Sequence, residues 1–126
     1  MKRYDPERGP DADDWLGVGE GERIELVESY HRRKRIRLPN ARLHAGMHVI
    51  VENQLALVET VVVDTLARLQ EEGLSRHDAV HAIASVLSEH LQHLLGGKVT
   101  GSDIERHKPY FDRLKTFTAD DWWKLR

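Results

Sequence analysis

A helical spacing of apolar residues, cut by one β-branched run, constrains this chain more than any other feature. Leu43, Met47, Ile50, Gln54 and Val58 recur at three- and four-residue intervals, with Val51 and Leu55 alongside. This is the stripe of an amphipathic α-helix. Pro39 disfavours helix in the residue before it, and Asn40 is a suitable N-cap, so the helix starts near Ala41. The run Thr60, Val61, Val62, Val63 then lowers helix propensity, because branching at Cβ crowds the preceding turn. Thr60 is also a capping residue. The sequence predicts a break at residues 57–60, within the window from Leu57 to Val63, and a new helix over residues 61–72.

The other elements follow from similar signals. Residues 1–14 carry Asp, Pro, Gly and Arg without a hydrophobic period and read as a flexible N-terminal tail. Residues 15–126 read as a single helical domain, with Trp15 and Leu16 anchoring the end of the tail. Ile24, Val27 and Tyr30 mark a first helix over residues 20–35. Gly73 terminates the helix before it, and Ser75 caps a long helix from Arg76 to about Leu95, which Gly96 and Gly97 end. Ser102 caps a last helix through Lys115, and Trp122 and Trp123 close the chain. The expected fold class is all-α, a compact antiparallel bundle of four to five helices with short connections.

Composition removes several functions. A formal net charge of -2 gives no bulk attraction to nucleic acid or to an anionic membrane. With no cysteine, disulfides and thiolate metal sites are excluded. No apolar run approaches the ~18 residues of a membrane span, and the N-terminus lacks a signal-peptide core, so a cytoplasmic location is the default expectation.

The anomaly is histidine, present eight times in 126 residues. His44, His48 and Glu52 stand at i, i+4 and i+8. A helix turns about 100° per residue, so each step of four moves the side chain about 40°, and the three groups form one slowly spiralling line. His77 and His81 repeat the H-x-x-x-H spacing beside the apolar stripe of Val80, Ile83, Leu87 and Leu91. A straight helix over residues 41–72 would keep the two lines apart. With the break, the helices carrying them become parallel, placing His44 level with His77 and His48 level with His81.

Two readings follow. In the first, His44, His48, Glu52, His77 and His81 hold a transition metal ion, zinc or iron before others, since neutral imidazole suits these metals and the carboxylate adds an anionic ligand. In the second, the histidines sit on solvated faces or satisfy one another between helices, and the chain is a metal-free interaction domain for a protein partner or a homo-oligomer. No H-E-x-x-H signature supports a zinc protease. Glu89, His90 and His93 point away from the first line and read as surface residues, with His90 nearer the core edge. The basic run from His31 to Arg37 reads as a solvated helix end rather than a nucleic-acid patch. Gln54, inside an apolar stripe, needs a hydrogen-bond partner, either a ligand histidine or another helix. Arg76 and Asp78 read as a surface pair.

At these residues the sequence resembles a bacterial family designated domain of unknown function 1841, and its close relatives of similar length. The matching stretches are residues 38–44, 48–54, 73–82 and 88–91, roughly the middle half of the chain. Relatives carry Pro near the position of Val61, which agrees with a turn there, although Val61 departs from that pattern. The resemblance implies a compact helical domain with these histidines in its motif. It implies no activity.

Overall fold

The computed structural model describes residues 1–97 and 101–125 of the chain. Among the described residues the regular structure is entirely helical: α1 (Ala12–Leu16), α2 (Glu20–Arg33), α3 (Ala41–Ala56), α4 (Thr60–Glu71), α5 (Arg76–Leu95), α6 (Asp103–Thr116) and α7 (Ala119–Lys124). The all-α bundle is the one expected. The count exceeds four to five because α1 and α7 are short helices of 5 and 6 residues, which periodicity cannot register.

Local chemistry explains the boundaries. Asn40, Ser75 and Ser102 cap their helices by accepting from the backbone N–H groups of Leu43, Asp78 and Glu105. The break falls where the β-branched run placed it. The α3 helix ends at Ala56, Val58 reverses the chain at φ 56°, and α4 begins at Thr60, with Glu59 rather than Thr60 at the cap position. Left-handed backbone is costly for a β-branched residue, so this turn is imposed by the packing on either side. Gly73 turns the chain just after α4 at φ 108°, a conformation that favours glycine.

The long α5 is the axis of the bundle: α3, α4, α6 and α7 all pack on it, while α2 and α1 pack chiefly on α3. Two buried apolar clusters result. One joins Val51, Val62, Leu69, Ile83, Leu87, Tyr110 and Leu114, and the other joins Tyr4, Trp15, Val27, Tyr30, Ala45 and Val49.

Two expectations fail. Residues 1–14 are mostly exposed but anchored at two points: Tyr4 is wholly buried, Pro6 is buried, and the Arg76 guanidinium donates to the Pro6 carbonyl. One aromatic ring, contributing its full area to the second cluster, outweighs the polar residues around it. The register of α3 and α5 is also not the parallel one. His44 lies beside His81, His48 lies beside both His81 and His77, and Glu52 meets Arg76, so the contacts run in opposite order along the two helices. The reason lies in α4, which packs more on α5 and α6 than on α3. It therefore does not carry the chain straight back along α3, and α5 does not regain the direction of α3.

Candidate metal centre

The site is built where α2, α3 and α5 meet. His31 comes from the last turn of α2, His44 and His48 from successive turns of α3, and His77 and His81 from the first two turns of α5. His31 extends the buried stripe of α2, four residues after Val27. His48 is 0% exposed and His31 3%, while His44, His77 and His81 are partly buried.

The five rings form one group. His48 lies 4.7 Å from His81, 4.8 Å from His44, 5.1 Å from His31 and 5.3 Å from His77, measured between ring centroids. His77 lies 4.2 Å from His81. Within the group, one ring nitrogen from each of His31, His44, His48 and His81 lies within 4.8 Å of the others. His77 is in ring contact but outside that compact set of donors. The Nε2 atoms of His31, His44, His48 and His77 are buried with no hydrogen-bond partner in the protein. A buried polar atom left in that state costs about 1–3 kcal/mol, so several in one place require an explanation.

Burial sets the protonation of these rings. It pushes His44 down to about 4, helped by the neighbouring His31 and His77. It pushes His48 well below the ordinary histidine value, with the four other rings adding to the effect. It lowers His31 against an opposing backbone hydrogen bond, and lowers His77 with a further contribution from His31. At neutral pH these are lone-pair imidazoles, the form that binds metal.

Two rings have their other nitrogen held. His31 Nδ1 is 2.8 Å from the Val27 carbonyl oxygen, which can only accept, so Nδ1 carries the proton and Nε2 the lone pair. Tyr4 donates its hydroxyl proton to Glu52 Oε2, so its oxygen is left to accept from His48 Nδ1 at 3.3 Å. Again the lone pair is at Nε2. Such partners fix the ring orientation and tautomer of ligating histidines.

Glu52 is brought to the site but turned to another task. The Arg76 guanidinium holds it by two parallel bonds of 2.8 Å, and Tyr4 donates to the same carboxylate. Its side chain is 1% exposed and that of Arg76 13%. Arg76 is thus an interior partner of Glu52 rather than a surface residue. Gln54 also lies away from the histidines and accepts from the Tyr110 hydroxyl at 2.8 Å, the helix–helix bond of the two alternatives.

The compact set therefore contains His44, His48 and His81 from the expected residues. It adds His31, places His77 at its edge, and engages Glu52 with Arg76 and Tyr4. His90 sits elsewhere, its Nε2 3.3 Å from His107 Nδ1 and its ring stacked on Tyr110, while Glu89 and His93 are exposed.

The set fits a metal in donor chemistry and in space. Nitrogens about 2.0–2.1 Å from a tetrahedral zinc stand about 3.3 Å apart. The four imidazoles need to close by no more than about 1.5 Å, within reach of small side-chain rotations. No family model matches this chain, and no curated protein or solved structure matches it.

Proposed function

We propose that this protein binds one transition metal ion through the Nε2 atoms of His31, His44, His48 and His81. The observation that supports this most is the convergence of buried, neutral imidazoles whose Nε2 atoms the protein leaves unsatisfied, at His31, His44 and His48. Four nitrogen donors suit zinc first, and iron, copper and nickel accept the same ligands. His77 is a fifth imidazole within reach for an ion of higher coordination number. Glu52, Arg76 and Tyr4 position His48 rather than ligate: the carboxylate orients the tyrosine hydroxyl, and the hydroxyl orients the ring. An ion at this point joins α2, α3 and α5, so it also braces the fold.

Elemental analysis of the full chain, purified without a metal-affinity tag, tests the reading. The expected content is about one equivalent of one transition metal, and the His48→Ala variant should retain less than about a tenth of that. A parent protein that carries no metal and takes none up on titration would defeat the proposal.

A further inference from the structure

A cleft of 360 Å³ opens directly onto the histidine group, and His44 and His81 form part of its wall. His48 and His31 are closed off from solvent, so His44 and His81 face the side from which a molecule can approach. Resting on the metal reading above, we infer that this cleft admits an exogenous ligand as a fifth donor to the ion, which expands from four- to five-coordinate, and that the ligand is a small monocarboxylate with a short apolar tail.

Charge decides the donor. Four neutral imidazoles leave a divalent ion with its full double charge, in surroundings where charge is poorly screened. Glu52 does not offset it, because its own charge is paired with Arg76. An anionic donor is therefore favoured over a neutral one.

The walls decide the rest. Leu43, Met47, Ala84 and Trp122 make them largely apolar, and no Lys, Arg, Asp or Glu lines the cleft. A phosphate group would bury further charged oxygens against these side chains with no cation to meet them. A carboxylate places one charged end at the ion and lays its chain on the walls. The volume is at the small end of ligand sites, which suits a molecule of metabolite size rather than a nucleotide or a peptide. Asn40 and Ser88 bring polar groups to the same walls for the second carboxylate oxygen.

The test uses the full chain loaded with Co²⁺, whose visible bands report its ligands. Acetate, butyrate and hexanoate are titrated at pH 7, with inorganic phosphate and butanol as controls. The expected result is a saturable band shift with each carboxylate, the affinity rising about fourfold per added methylene until the cleft is filled. Leu43 is 62% exposed, so Leu43→Asp leaves the fold and the cobalt stoichiometry intact while weakening hexanoate binding on the order of tenfold. Filling the cleft with Ala84→Phe should abolish the chain-length dependence. Cobalt that binds but does not respond to carboxylates overturns this inference and leaves the metal reading standing. An equal response to acetate and hexanoate, or a stronger response to phosphate or butanol, overturns it too. Failure to bind cobalt at all overturns both.

Discussion

The two ends of α5 carry histidines in opposite circumstances. At its N-terminal end His77 and His81 join three rings from α2 and α3, and the buried Nε2 atoms of His31, His44, His48 and His77 find no hydrogen-bond partner in the protein. Toward its C-terminal end His90 is buried, at 4% exposure, yet its Nε2 meets His107 and its ring stacks on Tyr110. Burial lowers the histidine pKa at both ends. The difference lies in where the lone pairs go. A buried histidine whose Nε2 finds a protein partner is explained by structure alone, and a group whose buried Nε2 atoms find none is a candidate site. Experiments that remove one feature at a time can break or sharpen that contrast.

The largest effect should come from the support of the first group. Arg76→Met leaves the buried Glu52 charge unpaired and should cost about 3–5 kcal/mol, measured by denaturant unfolding. Replacing both partners together, Glu52→Leu with Arg76→Met, should recover much of that loss. If the single variant cost no more than an exposed ion pair, the buried pair would not be what braces this end of the bundle.

Metal removal ranks next. An ion at a hundredfold excess over Kd stabilises the folded state by about 2.7 kcal/mol. For a chain of this length that corresponds to roughly 10 °C in Tm. A chelator should therefore lower the Tm of the parent and of His90→Ala alike, and leave His48→Ala unmoved. The pH dependence separates two contributions. Without metal, the folded-state values of His31, His44, His48 and His77 lie below the unfolded value of about 6.5. The unfolded chain then binds more protons, so stability is greatest above about pH 6.5 and falls with pH toward the His44 value of about 4. The metal contribution depends on the folded imidazoles staying neutral. It should persist below the pH at which free histidine becomes charged, because burial holds the folded imidazoles of His31, His44 and His48 neutral there, and it should be lost by about pH 4, where His44 protonates. A chelator response lost already at pH 6 would show that these rings are not held neutral.

Tyr4→Phe should act more gently and more specifically. It removes the acceptor for His48 Nδ1 and one donor to Glu52, while the ring keeps its packing against Trp15 and Tyr30. Loss of such an orienting partner typically costs 10–100-fold in metal affinity. Metal titration by calorimetry checks this, and an unchanged affinity would remove Tyr4 from the positioning of His48.

How legible was this in the sequence? The five longer helices were, because Asn40, Ser75, Ser102 and the run at residues 60–63 act on the backbone nearby. The histidine pairs on α3 and α5 were legible as lines, since four-residue spacing is a property of one helix. Tertiary arrangement was not. The direction of α5 relative to α3 depends on a left-handed Val58 and on how α4 packs, neither of which has a pattern in the sequence. His31 was hidden by its neighbours: Arg32, Arg33 and Lys34 made it look like part of a solvated helix end. Yet it lies seven residues after Ile24 and four after Val27, on the same stripe. Tyr4 reaches Glu52 across 48 residues, and no local period marks such a contact. Glu52 was found for its in-line spacing, which does not distinguish a ligand from a ligand's support. That depends on Arg76, one residue before His77, pointing at it.

The smallest effect belongs to the second group. His107 is exposed, and its contact with His90 is a single bond of 3.3 Å. His107→Ala should therefore cost no more than about 1 kcal/mol, with no change in metal content. Its informative readout is the titration of His90 by NMR. Burial is the main cause of the lowered His90 value, followed by the charges of His107 and then His93. Removing His107 takes away one like charge, so the His90 pKa should rise while staying below the ordinary histidine value, because burial is retained. The sign matters for the contrast between the two ends of α5. A rise to the ordinary value would mean that His90 was lowered by its neighbour rather than by the core. A fall would mean that the His107 nitrogen had been stabilising the protonated ring as a hydrogen-bond acceptor, and the two histidines would then act as a proton-sharing pair rather than as packing.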